Sequence, residues 1–274
     1  MVNEPVHSKG AFDHQAMTAD LARALETDQF FLVYQPTIDL QTSAFSGVEA
    51  LLRWRHPDRG VISPEEFIPE LETSGQIIPV GQWALNTACR QGAQWHARGY
   101  RFAVSVNISV KQLETAGFVK DVEQTLDASD FDPTLLVLEF SQVALMSGNE
   151  ATMHRLSKLK ALGVRLAVDD FAPDHSPLAN LESFPIDIVK LDREFIAAIM
   201  KSSEAAALVH TLVLLAKSLN LQIIASGIED VDQRTRLQIE EVDIGQGFLF
   251  SKPHEVQEID RFLEDFAIFS GKPL

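Results

Sequence analysis

The sequence predicts an α/β fold and, within that class, a closed parallel barrel that forms one domain. Two observations support this prediction. Short apolar segments alternate with helical segments along the chain, and no linker, repeat or low-complexity segment interrupts them. Strand–helix alternation over 274 residues is typical of a TIM-type (β/α)8 barrel. A doubly wound open sheet is the second fold compatible with the same alternation.

About eight short strands can be placed from apolar patterning and turn residues. The first strand, Phe30–Pro36, is expected to stop at its proline, and the long helix Pro64–Arg98 is expected to break near Gly75 and Pro79. The other predicted strands are Gly47–Trp54, Phe102–Asn107, Leu135–Glu139, Val164–Asp170, Asp187–Lys190, Gln222–Ala225 and Val242–Ile244. The other predicted helices are Gln15–Thr27, Val110–Ala128, Gly148–Leu162, Glu194–Leu219, Val231–Ile239 and Glu255–Phe269.

We expect residues 1–13 to be a tail and residues 14–274 to be a single barrel domain.

Composition restricts the classes of ligand. Lys and Arg number 23 against 39 Asp and Glu, which gives a net charge of −16. Such a surface repels polyanions, so nonspecific binding of nucleic acid or anionic membranes is excluded as a main function. A small phosphorylated ligand stays compatible, because a metal ion or a few local cations can override the global field.

Cysteine usage and hydropathy point to a cytoplasmic protein. The single cysteine, Cys89, cannot form an internal disulfide, fits a reducing compartment and falls in a helical run where core packing is its expected role. The most apolar run, Leu208–Leu221, is interrupted by polar residues and is too short for a membrane span. We therefore expect no membrane insertion.

The stretch Val164–Phe171 reads as a buried strand that ends in two adjacent acids, Asp169 and Asp170. Adjacent strand residues point to opposite faces, so both acids meet at one site only if the chain turns directly after the strand. The sequence that follows, beginning Ala172-Pro173-Asp174, favours such a turn. Taken alone, the pair is more typical of a solvated turn, but four further strand ends change that interpretation.

Polar side chains close several of the other predicted strands. Functional groups of a barrel of this kind sit where strands end and the following loops begin. Singly, each such residue is compatible with a cap or a surface charge. Together they form an all-oxygen set suited to Mg²⁺, Mn²⁺ or Ca²⁺, with Lys190 beside it to contact phosphate or the attacking water. The set expected to converge is Glu49, Asn107, Glu139, Asp169 and Asp170.

These residues carry a resemblance to the EAL domain family that extends from about Leu21 to Phe262. The resemblance implies a TIM-type barrel with one antiparallel strand. It also implies recognition of cyclic di-GMP and, in active members, hydrolysis to linear pGpG. The motifs are Glu49-Ala50-Leu51-Leu52-Arg53-Trp54, Tyr34-Gln35-Pro36, Val106-Asn107-Ile108-Ser109, Leu138-Glu139, Asp169-Asp170-Phe171, Val189-Lys190-Leu191-Asp192 and Gln246-Gly247-Phe248.

The resemblance also implies a role for each matching residue. Asp169 would bridge a first and a second metal ion, Mg²⁺ or Mn²⁺, and Asp170 would join it at the second. Lys190 would help to activate the metal-bound water, so that Glu49, Lys190 and Asp170 are the catalytic candidates. The other ligands of the first metal would be Glu49, Asn107 and Glu139. The dinucleotide would be contacted by Gln35, Leu51, Arg53 and Asp192, with Gln246 supporting the ligand site.

Three departures from the family pattern fall on one side of the expected site. Ser226 stands where members carry a glutamate that helps to hold the second metal, and Gln142 stands where a second glutamate pins the loop after the paired aspartates. That loop has lost its two glycines, with Ala172 at the first position, and has gained two prolines. The first metal set is therefore complete, and the second is impaired unless another acid such as Glu229 replaces the missing carboxylate.

Three functions are compatible with this pattern. The first is a degenerate EAL domain that binds cyclic di-GMP with weak or no phosphodiesterase activity and acts as a receptor. The second is an active, metal-dependent phosphodiesterase. The third is a protein-interaction module without nucleotide, which the presence of Gln35 and Arg53 disfavours. A homodimer and a separate protein partner are both compatible with the resemblance.

Overall fold

The computed structural model describes residues 14–142, 149–171 and 184–270. The predicted tail and Ala172, with the rest of the rewritten loop, lie outside these residues. The strands are β1 Phe30–Asp39, β2 Phe45–His56, β3 Gly60–Ile62, β4 Ala103–Ile108, β5 Leu136–Ser141, β6 Arg165–Phe171, β7 Ile188–Leu191, β8 Gln222–Ala225 and β9 Ile244–Gln246. The helices are α1 His14–Ala24, α2 Pro64–Ser74, α3 Ile77–Ala97, α4 Val110–Glu114, α5 Phe118–Ser129, α6 Glu150–Ala161, α7 Arg193–Ala198, α8 Ser203–Ser218, α9 Val231–Ile239 and α10 Val256–Ser270.

The strands form a closed barrel, as predicted, and the open-sheet alternative is wrong. The strand order is β1-β9-β8-β7-β6-β5-β4-β2-β3, and an additional β1–β2 pairing closes the ring. Because β3 pairs only with β2, the barrel itself contains eight of these nine strands. β1 is antiparallel to both of its neighbours, whereas the other neighbouring barrel strands are parallel. The single antiparallel barrel strand implied by the resemblance is thus present in the described sheet.

Along the barrel strands, residues alternate between the inside and the outside of the barrel, apart from register shifts in β1 and β6. Outward residues such as Val104, Leu138 and Val189 pack under the surrounding helices in the main hydrophobic core. Inward residues form a separate small apolar cluster across the barrel interior. Since the side chains of a strand have a period of two, the next inward position on each strand lies one layer higher. The apolar inner layer consists of Val137, Ala167, Ile188, Ile224 and Ile244.

The helices α3 and α10 cover the barrel near β1. Trp95 of α3 is fully buried, stacks edge-on against Tyr34 at 5.0 Å and donates its indole N–H to Asp260 of α10 at 2.8 Å. Cys89 is buried in the same helix, and burial raises the pKa of its thiol to about 12. A thiol in this state is a core residue, as its helical position predicted.

The prediction that Pro36 ends the first strand is wrong, because β1 continues to Asp39. Tyr34 exchanges hydrogen bonds with His254, on the side of β1 that faces away from β2. Alternate residues direct their N–H groups to the same side of a strand, so the nitrogen of Pro36 also faces away from β2. The proline therefore removes no β1–β2 hydrogen bond, and the strand runs through it.

Two predicted helices are divided in the structure. The predicted Val110–Ala128 is two helices, α4 and α5, because Thr115 takes an extended backbone between them. The predicted Glu194–Leu219 is also two, α7 and α8, and the hydroxyl of Ser202 accepts the N–H of Ala205 to begin the second. The break expected near Gly75 is confirmed, with a left-handed φ of 80° that glycine adopts without strain.

Two strand assignments also need correction. Sequence analysis missed β3, which is three residues long and forms a hairpin with β2. The last strand is Ile244–Gln246 rather than Val242–Ile244, which places Gln246 inside the strand rather than after it. Within the described residues, no helix combines the length and the apolar character that a bilayer crossing requires.

Gly47 lies at a point of the barrel wall where no side chain fits. Gly47 of β2 faces β4, and an added Cβ would lie 2.5 Å from the backbone oxygen of Ala103. We expect Gly47→Ala to lower the free energy of unfolding by about 1–3 kcal/mol, the usual cost of overpacking. Gly117→Ala is the control, because its Cβ would meet nothing closer than 3.7 Å. Denaturant unfolding of both variants tests this, and equal stability would contradict the packing argument.

Candidate functional site

The candidate site is a polar layer directly above the apolar inner layer. Five strands have a polar residue two positions after an apolar inward residue; four of these polar residues lie on the strand, and Ser226 directly follows β8. Because the parallel strands point the same way, these side chains meet at one end of the barrel, where the strands finish. The five pairs, with the apolar residue first and the polar residue second, are Val137 and Glu139, Ala167 and Asp169, Ile188 and Lys190, Ile224 and Ser226, and Ile244 and Gln246.

Lys190 lies at the centre of this layer and is buried, with 4% of its surface exposed. Its Nζ is 2.8 Å from Glu49 Oε2, 2.7 Å from Glu139 Oε2 and 3.4 Å from Asp169 Oδ2. Glu49 and Glu139 are also buried. The geometry is therefore one ammonium surrounded by three carboxylates, each delivered by a different strand.

Amide side chains complete the hydrogen bonds of Glu49. Asn107 donates to Glu49 Oε1 at 2.7 Å, and Gln246 donates to Glu49 Oε2 at 2.7 Å. Gln246 also contacts Gln35 Oε1 at 3.3 Å, and Gln35 donates to the carbonyl of Ser251 at 3.1 Å. The antiparallel strand β1 and the last strand β9 are thus tied into the same network.

The titration of the cluster follows from burial and mutual charge. Burial raises the pKa of Glu139 and Asp169, and their carboxylate neighbours add to this. Burial would also raise the pKa of Glu49, but Lys190 and the amide donors outweigh it and hold that pKa below its usual value. Burial alone would lower the pKa of Lys190, yet the three carboxylates keep it well above its usual range. In this arrangement Lys190 donates to all three carboxylates.

A β-bulge separates the two adjacent aspartates. The pairing of β6 with β7 shifts between Val168 and Phe171, and Asp170 adopts a left-handed φ of 52°. The two acids are thus separated by a bulge inside a strand that continues to Phe171. The turn predicted at Ala172-Pro173-Asp174 lies outside the described residues. Burial and the neighbouring Asp169 raise the pKa of Asp170 to about 6.

Two adjoining cavities open beside the polar layer, and both are lined by Asp169 and Asp170. One, of about 280 Å³, has largely apolar walls and contains Leu51, Arg53 and Asn107. The other, of about 230 Å³, is lined mainly by polar and charged residues. We call them the apolar cavity and the polar cavity. The lining of the polar cavity includes Gln35, Glu49, Lys190, Asp192, Arg193, Ser226, Glu229, Gln246 and Phe248.

Every sequence-predicted site residue within the described part of the chain touches one of these cavities except Gln142, which is buried beyond β5. Asp192 additionally caps α7, accepting the N–H of Glu194. Sequence reasoning assigned no role to Arg193 or Phe248, which also line the polar cavity. The available signal was sequence position: Arg193 directly follows Asp192, and Phe248 follows Gln246-Gly247.

The Ser226 hydroxyl is buried and has no hydrogen-bond partner among the described residues. Ser226 directly follows β8 and lines the polar cavity. Glu229, the acid considered as its replacement, is exposed and forms an ion pair with Arg193. That pairing argues against Glu229 as a substitute ligand.

The donor set fits a hard divalent cation. Carboxylate oxygens of Glu49, Glu139 and Asp169 all lie within 4.8 Å of one another, with the amide of Asn107 beside them. Oxygen ligands of this kind suit Mg²⁺ or Mn²⁺ rather than zinc. On the Ser226 side, the polar cavity offers a neutral hydroxyl and the carboxylates of Asp169 and Asp170, while Asp192 is engaged as a helix cap and Glu229 in an ion pair.

Comparison with known proteins gives consistent matches. A model of the family described as EAL domain matches residues 18–253. The chain is 37% identical over 241 residues to the bifunctional diguanylate cyclase/cyclic di-GMP phosphodiesterase MucR of Pseudomonas aeruginosa, covering 88% of this chain and 35% of MucR. It is 34% identical over 262 residues to the cyclic di-GMP phosphodiesterase PdeR of Escherichia coli, covering 96% of this chain and 40% of PdeR.

The same relationship holds in three dimensions. A solved structure of the PaMucR phosphodiesterase in complex with c-di-GMP has a TM-score of 0.85 and 36% identity, and the match covers 89% of this chain and 99% of that one. The chain thus corresponds to nearly the whole of that solved domain. It spans 35% and 40% of the length of the two curated relatives.

The buried cluster predicts that Lys190 stabilises the fold. Lys190→Met leaves three carboxylates without their cation, and removing one partner of a buried ion pair costs about 3–5 kcal/mol. We expect a loss of this size in denaturant unfolding measured with a chelator present. Lys217→Met, which breaks an exposed pair with Glu241, is the matched control and should cost less than about 1 kcal/mol. Equal losses in the two variants would contradict this reading of the cluster.

Proposed function

The chain belongs to the EAL domain family, whose relatives include cyclic di-GMP phosphodiesterases, and we propose that it binds cyclic di-GMP with weak or no hydrolysis. It would act as a receptor for this dinucleotide. The observation that carries the proposal is the asymmetry of the polar layer. Its Lys190 side is complete, whereas directly after β8 stands Ser226, whose hydroxyl has no hydrogen-bond partner among the described residues and which replaces the acid of the family pattern.

Binding would use the residues that line the two cavities. Cyclic di-GMP carries two phosphates, and the net charge of −16 opposes its approach. Local cations have to overcome that field. The half-buried Arg53 at the wall of the apolar cavity and Arg193 at the polar cavity are placed to do so. In this proposal, Arg53, Leu51, Gln35 and Asp192 contact the dinucleotide, and the network of Gln246 holds Gln35 in position.

The resident metal would be Mg²⁺ or Mn²⁺ at one site. Glu49, Asn107, Glu139 and Asp169 would hold it, and once bound it would polarise phosphate oxygen and lower the pKa of water. Lys190, which donates to all three carboxylates, would orient them and help to activate a water held by the metal. In an active member, Asp170 and Asp169 would serve a second ion, for which Ser226 is a poor oxygen ligand.

An active phosphodiesterase is the second candidate, and one observation favours it. Glu49, Glu139, Asp169 and Lys190, the groups closest to the expected reaction centre, are all present and in contact. Against it stand Ser226, the ion-paired Glu229 and the changed Gln142 and Ala172.

We also propose that the protein acts in a reducing, cytoplasmic setting, which the single buried cysteine supports.

Calorimetric titration with cyclic di-GMP, with and without Mg²⁺, tests this function directly. We expect binding, and turnover slower than ~1 s⁻¹ when products are analysed, which is below ordinary enzymes. Faster production of pGpG would establish the phosphodiesterase instead. Absence of binding would leave the interaction module.

Arg53 provides a matched pair of variants for the same titration. Arg53→Ala removes a charged donor from the apolar cavity, and a hydrogen bond to a charged group contributes about 1.5–3 kcal/mol. We expect the dissociation constant to rise roughly tenfold or more. Arg55→Ala, on the same strand but in an exposed pair with Glu255, should leave binding unchanged.

Repair of the divergent positions should restore hydrolysis only in combination. Ser226→Glu returns a carboxylate, whereas Gln142→Glu with Ala172→Gly and Asp174→Gly returns the second glutamate and the two glycines of the loop. Groups that act as a unit are strongly non-additive, so the combined variant should gain far more than the product of the single gains. Hydrolysis rates and dissociation constants of the four proteins give the test. Full activity from Ser226→Glu alone would refute the loop argument, and a parent as fast as the combined repair would refute degeneracy.

A further inference from the structure

A groove between α3 and α5, outside the barrel, lies apart from both cavities of the candidate site. Its volume is about 410 Å³, against about 280 and 230 Å³ for the apolar and polar cavities. Small-molecule sites have volumes of roughly 300–1,000 Å³, so a small ligand fits this space. It shares no described lining residue with either cavity, and we call it the flank groove. Its lining residues are Gln82, Trp83, Asn86, Arg90, Gln124, Thr125, Ala128 and Ser129.

A hydrogen-bond network fixes two amide side chains of α3 that line the flank groove. Gln82 Nε2 donates to Asn86 Oδ1 at 3.1 Å and to the Thr125 hydroxyl at 3.0 Å. Thr125 is 4% exposed, and its hydroxyl lies 2.5 Å from the same Asn86 oxygen. Because the network uses Gln82 Nε2 and Asn86 Oδ1, it leaves Gln82 Oε1 and Asn86 Nδ2 without partners among the described residues. The groove therefore offers a fixed acceptor beside a fixed donor.

Trp83 is the one tryptophan of three whose indole N–H has no hydrogen-bond partner among the described residues. Trp54 donates its N–H to Gln29 at 2.9 Å, and Trp95 donates to Asp260 at 2.8 Å. Trp54 and Trp95 are fully buried, whereas Trp83 is partly exposed and packs against the edges of two hydrophobic clusters. It thus presents both aromatic surface and an unused donor to the flank groove.

Arg90 places an uncompensated positive charge at the flank groove. Its guanidinium donates to the Asn86 carbonyl at 3.3 Å and the Thr87 hydroxyl at 3.5 Å, and it has no ion-pair partner among the described residues. No described aspartate or glutamate lines the groove, although the chain contains 39 of these residues. A cation without neighbouring carboxylates can attract a small anion despite the net charge of −16.

Trp83, Asn86 and Arg90 lie in a row on one face of α3. They are separated by three and four residues, a spacing that brings side chains onto the same helix face. The row extends over seven residues, or about 10 Å. A ligand lying along it would meet the indole first, then the amide pair, and then the guanidinium.

This order of groups matches the parts of a purine nucleoside monophosphate. The flat base suits an aromatic side chain, and base–aromatic stacking is independent of base sequence. A donor and an acceptor side by side pair with the edge of a purine, as carboxamides do with adenine. Guanidinium groups pair with phosphate oxygens.

We propose that the flank groove is a second ligand site and binds a purine nucleoside monophosphate. The purine would stack on Trp83 and pair its edge with Gln82 and Asn86. The phosphate would contact Arg90. This site does not depend on the proposed binding of cyclic di-GMP, because its described residues line neither cavity of the candidate site. The ligand would be bound unchanged, since no described carboxylate or imidazole lines the groove to act as a general base.

Titration of the whole chain with AMP and with GMP, followed by tryptophan fluorescence, tests this site. We expect at least one of them to quench the fluorescence saturably, with a dissociation constant below ~1 mM. Trp83→Phe should abolish the quenching, because Trp54 and Trp95 are fully buried. Inorganic phosphate and the free nucleoside should each bind more weakly, because each lacks one half of the contacts.

Two variants and a charge control locate the ligand by calorimetry. Arg90→Gln should raise the dissociation constant roughly tenfold or more, the usual effect of losing a hydrogen bond to a charged group. Asn86→Asp keeps the oxygen that Gln82 and Thr125 contact but replaces the free donor with a negative charge, so it should weaken binding at least as much. Lys120→Gln removes an exposed cation of α5 outside the groove and should bind like the parent. Denaturant unfolding checks that each variant is folded.

Three outcomes would overturn the inference. Neither nucleotide binds saturably to the parent, in which case the proposed function still stands if cyclic di-GMP binds. Lys120→Gln weakens binding as much as Arg90→Gln, which would indicate a general charge effect. Arg53→Ala abolishes nucleotide binding while Arg90→Gln preserves it, which would place the nucleotide in the candidate site.

Discussion

The contact of the buried Lys190 ammonium with three carboxylates constrains the register of the strands that form this barrel. Taking Lys190, Glu49 and Glu139 out of water is costly, and the cost is offset only when every oxygen and every N–H has a well-placed partner. Each of these groups comes from a different strand. A slip of one residue in any strand would turn its member of the cluster to the outside and bring an apolar residue inward. The charge cluster and the strand register therefore specify each other.

Much of the site follows from strand periodicity alone. The period of two placed Glu139, Asp169 and Lys190 at strand ends, and the structure brings them into contact. What periodicity could not give were the features set by neighbours distant in sequence. The run of β1 through Pro36 depends on His254, and the position of Asp170 depends on a bulge against β7. Short elements such as β3 carry too few residues for a pattern to be recognised.

The sequence departures acquire a spatial meaning once the cavities are known. Ser226 and the Arg193–Glu229 ion pair both line the polar cavity, whereas Leu51, Arg53 and Asn107 line the apolar one. Within the described residues, the departure at Ser226 is thus separated from Leu51 and Arg53, whereas Gln142 lines neither cavity. A separation of this kind would let contacts in the apolar cavity persist while the groups of the polar cavity change.

The closure of the barrel by β1 has a consequence for the order of folding. Gln35 and Gln246 are 211 residues apart in sequence, yet their amides meet in the buried layer. A ribosome releases β1 long before β9 exists, so the first strand has only β2 as a partner for most of synthesis. Contacts of such long range are slow to form because loop closure costs entropy before any contact is gained. Until β9 emerges, the polar layer stays open to water, and water rather than Gln246 must donate hydrogen bonds to the carboxylate of Glu49.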